Sequence, residues 1–256
     1  MSQKTRAEGT ARERLQAQRD KEKARARRGR QAKVAAVVVA VLAVAAGIAV
    51  WASSTGDDKN TPVAAPKGAT GGDKPAVTVG QKSAPSTLQV WEDFRCPACK
   101  QFETGFRSTL HELQDAGELR TDYHLALLID GNMGGKGSLN AANAALCAQN
   151  AGKFREYHDV LFANQPAEQQ DRYADKNYLI KLAGKVPGLV TQDFRSCVND
   201  GTYNAFVQKS NEAFQKAGLQ GTPSVILNGK NIFADQNAQM TPQKLKQMVQ
   251  EANKKK

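Results

Sequence analysis

The chain has 256 residues, 40% hydrophobic and 24% charged, enough apolar material for one packed domain with appendages. Its net charge of +11 sits at the two ends: residues 1–33 carry twelve Lys/Arg against four acidic side chains, and Lys254, Lys255 and Lys256 supply the remainder. The body therefore balances near zero, which excludes a basic face for nucleic acid there.

Directly after the basic tail (1–33), residues 34–52 read "VAAVVVAVLAVAAGIAVWA", nineteen positions without a charge. At about 1.5 Å per residue such a helix crosses a hydrocarbon core of about 30 Å. The preceding positive charge predicts a cytoplasmic N-terminus and an extracytoplasmic remainder. A cleaved signal peptide is the alternative, but both its basic and its apolar parts are normally shorter, and bulky Trp51 suits an interfacial anchor. The expectation is a single-pass signal-anchor. Residues 53–76, rich in Ser, Thr, Gly, Asp, Lys, Pro and Ala, read as a flexible tether.

The folded domain is expected over 77–256. "STLQVWEDF" (86–94) has strand character and runs straight into Cys96-Pro97-Ala98-Cys99. Over 99–117, Phe102, Phe106, Leu110 and Leu113 recur at spacings of three and four, predicting an amphipathic helix that closes at Gly117. A second strand is predicted over 118–130. "GNMGGKGS" (131–138) does not fit the phosphate-loop spacing and reads as a plain loop. A long helical pattern follows from about 138 to 217, broken at Gly152, Gln165-Pro166, Pro187-Gly188 and Gly201. The chain ends in a hairpin (224–229 and 230–234) with Asn228-Gly229 at the turn, and in a helix over 241–253 capped by Thr241 with Pro242 at its first position. Strand, helix, strand, helical block, strand, strand, helix is an α/β, thioredoxin-type order with a helical insertion at about 138–200.

The cysteine pair admits several chemistries. Structural zinc needs four ligands, and His111, His124 and His158 lie in no ligand spacing. They read as surface or packed residues. Covalent haem needs a histidine after the second cysteine, where Lys100 stands. Redox chemistry fits each position. Pro97 suits a first helical residue, so Cys96 lies at the helix start, where free amides and the helix dipole stabilise a thiolate. Cys99, one turn deeper, can resolve a mixed disulfide made at Cys96. A merely structural staple is the competing reading. Gly221-Thr222-Pro223 precedes an apolar strand, and Pro223 belongs at that strand's entry, where a cis bond is natural.

"FRCPACKQFE" with "GTPSVILNGK" far downstream, across a helical insertion, resembles the DsbA-like thiol:disulfide oxidoreductases of bacterial envelopes over about residues 86–253. The resemblance implies Cys96 as nucleophile, Cys99 as buried partner, and Thr222-Pro223 as a cis-proline loop that pairs with an extended substrate backbone. It implies reduced or unfolded secreted proteins as substrates and a membrane quinone-linked reductase of the DsbB or VKOR type for reoxidation. No metal or organic cofactor is expected. Three departures bear on direction. Pro-Ala between the cysteines replaces the Pro-His of strongly oxidising members, and Thr222 stands before the cis-proline as in isomerases. The buried acid six residues before the first cysteine is Val90 here, with Glu92 on the same strand face as a stand-in. Oxidase is expected over isomerase or reductase, and a non-catalytic, membrane-tethered peptide-binding module is the reading from another class. Cys147 and Cys197, on the extracytoplasmic side, are expected to form a structural bridge, with a second redox pair as the alternative.

Overall fold

The computed structural model describes residues 63–233 and 240–255. The basic tail, the apolar segment 34–52 and the first part of the expected tether lie outside them, as does Ala234 at the end of the expected hairpin. Among the described residues no helix is long and apolar enough to cross a membrane.

Five strands form one sheet: β1 (Val77–Val79), β2 (Ser86–Glu92), β3 (Leu119–Leu125), β4 (Ser224–Leu227) and β5 (Lys230–Asn231), in the spatial order β1-β3-β2-β4-β5. β2 and β3 run parallel, joined through helix α1 (Pro97–Asp115), and every other pairing is antiparallel. β2 is the central strand. Its Leu88 and Val90 join the main core with the buried face of α1, while Trp91 points the other way, stacked on His124 at 4.0 Å. Helices on both faces explain why the second half of β2 is buried throughout rather than alternating.

Between β3 and β4 come α2 (Leu128–Met133), α3 (Gly137–Asn150), α4 (Phe154–Ala163), α5 (Lys176–Ala183), α6 (Gln192–Asp200) and α7 (Asn204–Lys216). The helical breaks fall where the glycines and prolines put them. A disulfide joins Cys147 of α3 to Cys197 of α6, with Cα atoms 5.9 Å apart. The final helix α8 (Pro242–Asn253) starts as its sequence requires, the Thr241 hydroxyl accepting from the Lys244 amide and Pro242 opening the first turn. Asn228 (φ 47°) and Gly229 (φ 86°) both adopt the left-handed conformation that a two-residue hairpin demands.

Several boundaries differ from expectation, the strands before the cysteines and in the hairpin ending early, at Glu92, Leu227 and Asn231. The second strand stops at Leu125 rather than 130, because its partner β2 ends at Glu92, opposite Leu125, and leaves nothing to pair with beyond. The Leu127 amide turns instead to Asn211, the Ile129 amide to Asp93, and α2 takes up part of the expected loop. The described part of the expected tether belongs to the fold: Pro66, Pro75 and Ala76 are buried, Thr70 bridges Ala76, and the Pro75 carbonyl faces His124 Nδ1 at 2.9 Å. Strand β1, too short for a periodic signal, completes that edge of the sheet.

Candidate active site

The site grows out of the end of β2, where Asp93 converts strand into loop. Its carboxylate is sealed from solvent and accepts the Arg95 and Ile129 amides, each at 2.8 Å, while the Cys96 amide donates to the Asp93 carbonyl. Burial raises this carboxyl to about 6 even though both amides pull it down. The buried Arg95 guanidinium ties the neighbouring loops to that turn. It pairs with Asp130 at 2.6 Å and Asp171 at 3.3 Å and donates to the carbonyls of Gly134 and Glu168. Here the glycine-rich 131–138 stretch finds its reason: a Cβ on Gly135 or Gly137 would land on the Asp171 carboxylate. The Gln165 carboxamide closes the arrangement by donating to the carbonyls of Phe94 and Cys96 at 2.8 and 2.9 Å.

Cys96 is the residue before α1, in extended conformation, with Pro97 in the first turn, and both site cysteines are free thiols. Cys96 keeps 6% of its surface exposed and Cys99 none. The Cys96 thiol is lowered from 9.0 to about 6, chiefly by the Cys99 thiol beside it. The Thr222 side chain and the amides of Cys99 and Ala98 add to this against the opposing effect of burial. Cys99 moves the other way, pushed well above its ordinary value by burial first, then by Cys96, with a further contribution from Glu92. One sulfur is thus prepared as a thiolate and the other as a protonated partner.

The Thr222–Pro223 bond is cis, and the Cys96 thiol donates to the Thr222 carbonyl at 3.3 Å. Pro223 brings no N–H to this loop, so the sulfur meets the Thr222 carbonyl. An adjoining cleft of about 370 Å³ is lined by Leu219, Gln220, Thr222, Pro223, Asn231 and Phe233. Phe233 sits edge-on to Phe102 and Phe106, which carries the apolar face of α1 to the cleft's edge.

Cys96, Cys99, Thr222 and Pro223, some 125 positions apart in the chain, are therefore brought to one place, while the Cys147–Cys197 bridge belongs to the helical insertion. Below the cysteines lies a cluster that spacing did not disclose. Glu92, Glu103 and His158 are buried together, their ligand-capable atoms all within 4.8 Å of one another, and His158 Nε2 lies 2.8 Å from Glu92 Oε1. Such a trio can hold a metal ion only if all three groups are deprotonated. Here burial opposes charging His158, but Glu92, Glu103 and Asp159 outweigh it and raise the imidazole to about 10, while burial pushes the Glu103 carboxyl well above its ordinary value. The His158–Glu92 hydrogen bond and the upward shifts of His158 and Glu103, both toward their protonated forms, disfavour a metal there. Glu103 was readable in principle, as an acid on the otherwise apolar face of α1. Gln165 and His158 carry no comparable signal.

Comparison with known proteins agrees with this geometry. A thioredoxin family model matches residues 73–251. Disulfide bond formation protein D of Bacillus subtilis is 27% identical over 61% of this chain and 70% of its own length. The reduced disulfide bond oxidoreductase DsbG of Mycobacterium tuberculosis superposes with a TM-score of 0.59 at 29% identity, covering 69% of this chain and 86% of that one. Oxidised DsbA of the same organism gives 0.59 at 28%, covering 70% and 92%.

Proposed function

This chain belongs to the thioredoxin family and is a DsbA-like thiol:disulfide oxidoreductase, and on that footing we propose that it works in the oxidising direction, donating its Cys96–Cys99 disulfide to reduced proteins outside the cytoplasm. A substrate thiolate attacks Cys96 Sγ, the Sγ–Sγ bond breaks, and Cys99 departs and takes up a proton. The second substrate thiol gives up its proton and attacks the substrate sulfur of the mixed disulfide. Cys96 leaves as thiolate, and the substrate disulfide is complete.

The observation that carries this reading is the Cys96 thiol held at about 6. A leaving thiolate of low pKa departs fast, and a stabilised reduced form makes the disulfide an oxidant. The Thr222-Pro223 loop, with the Thr222 carbonyl that accepts from the Cys96 thiol and the cleft behind it, suits an extended peptide backbone. Thr222 before the cis-proline favours a second reading, an isomerase that reshuffles wrong disulfides. The two separate in one experiment: the oxidised chain is mixed with a reduced two-cysteine peptide and, in parallel, the reduced chain, whose Cys96 thiolate can attack, with a scrambled four-cysteine protein. The proposed oxidase converts the peptide one for one and leaves the scrambled protein unrepaired; the reverse pattern identifies the isomerase.

The placement follows from the sequence. The uncharged segment 34–52 behind a basic tail supports a single-pass anchor with the catalytic domain on the outer side. A membrane quinone-linked reductase is the proposed route of reoxidation. External protease that removes the catalytic domain from intact spheroplasts supports this placement, and protection of the domain contradicts it.

A further inference from the structure

Five residues of α1 fall at a constant spacing of four: Cys99, Glu103, Arg107, His111 and Asp115. On a helix of 3.6 residues per turn they form one slowly drifting stripe. Cys99 is 0% exposed and Glu103 2%, the Arg107 and His111 side chains 30% and 31%, and that of Asp115 63%. The stripe leads from a sealed thiol to open solvent.

Helix α4 supplies the facing partners. His158 Nε2 meets Glu92 Oε1 at 2.8 Å, and its Nδ1 faces Asp159 Oδ1 at 3.8 Å. The other Asp159 oxygen pairs with His111 Nε2 at 3.2 Å, and Arg107 holds Asp159 through Nε at 3.3 Å and through its carbonyl. Aromatic rings fix the His158 plane: Phe94, Tyr123, Phe154 and Phe162 all lie within 5.6 Å of it, centroid to centroid. The titratable and charged groups around His158 are Glu92 from β2, Glu103, Arg107 and His111 from α1, Tyr123 from β3, and Arg155 and Asp159 from α4.

We propose that the line Glu92, His158, Asp159, His111 is the proton route of Cys99, exchanging its proton with solvent through the α1–α4 seam rather than through the substrate opening. This rests on the redox reading above and deepens it. In the mixed disulfide the substrate occupies the Cys96 side, and both Cys99 and Glu92 are sealed. A buried carboxylate that takes the Cys99 proton once must lose it before the next turnover. His111 lies fifteen residues beyond Cys96, about 22 Å along the helix, so the outlet stays clear of a bound chain. The 3.8 Å step from His158 to Asp159 exceeds a hydrogen bond and sets the pace of the line.

The step is isolated by treating the reduced full chain with Ellman's reagent in a stopped-flow instrument. Cys96 first displaces one thionitrobenzoate and keeps the other as a mixed disulfide. The Cys99 thiol then gives up its proton, attacks Cys96 Sγ, and releases the second thionitrobenzoate. Asp159→Asn and His111→Gln should slow the second phase about tenfold, less than the 10²–10⁴ of a directly positioned acid or base. The first phase should keep its rate, and imidazole buffer should restore the second in His111→Gln. Glu112→Gln, on another face of α1, should match wild type. A second phase unchanged in both route variants, or both phases slowed alike, overturns the route. So does stoichiometric retention of zinc by the chain dialysed against it, because ligation requires the cluster deprotonated. If the first phase never develops, the redox reading itself fails and the route falls with it.

Discussion

His158 Nε2 stands 2.8 Å from Glu92 Oε1, and neither side chain keeps more than 2% of its surface in solvent. A pair so far from water depends on its mutual hydrogen bond, and removing one partner leaves the other uncompensated. It ties the end of the central strand to the insertion helix directly beneath the two cysteines.

The pair fixes the sign of a pH dependence. His158 has a folded value of about 10 against an ordinary 6.5, so its contribution is complete below about 6.5 and is lost as pH rises toward 10. Glu103, also raised on folding, acts in the same direction from its ordinary 4.5 upward. Urea denaturation of the oxidised chain, in which Cys96 cannot titrate, should lose a few kcal/mol between pH 7 and 10, at about 1.36 kcal/mol per pKa unit. His158→Gln should be less stable at neutral pH and show a much flatter profile over that range.

The Cys96 thiolate should report its neighbours directly. Its ultraviolet absorbance, followed against pH, should titrate at about 6 in the reduced chain. Cys99→Ala removes the largest stabilising contribution and should move the midpoint back toward 9.0. Thr222→Val should move it in the same direction by less. An unmoved midpoint in Cys99→Ala would mean that amides, not the second thiol, hold the charge.

Much of this site was legible because its signals are local. Pro97 between the cysteines marks a helix start, Thr241-Pro242 and Asn228-Gly229 declare their own conformations, and Phe102, Phe106, Leu110 and Leu113 declare the buried face of α1. What escaped depends on contacts distant in sequence. The extra strand residues after Leu125 failed because their partner strand had already turned into the cysteine loop. Gly135 and Gly137 are glycines on account of Asp171, more than thirty positions away. His158 reads in sequence as an unremarkable packed histidine until Glu92 is set beside it. Even so, the spacing of Cys99, Glu103, Arg107 and His111 was open to a helical-wheel reading.

The Cys147–Cys197 bridge closes a loop of 50 residues between α3 and α6. On the chain-entropy model its loss costs roughly 4 kcal/mol. A Cys147→Ala, Cys197→Ala variant should unfold at lower urea by about that amount while still oxidising the two-cysteine peptide at the wild-type rate. A loss of oxidation in the folded variant would assign the bridge to the electron path instead.

The central claim, that a thiolate held low at Cys96 makes this chain a donor of disulfides, is tested most directly by its reduction potential. Equilibrated against glutathione at neutral pH, Cys96–Cys99 should lie at about −120 to −180 mV, and above pH 6 the value should fall by about 30 mV per pH unit, one proton for two electrons. A potential near −270 mV, with about 59 mV per unit through pH 7, would show two protonated thiols, a reductant, and the opposite direction of flow.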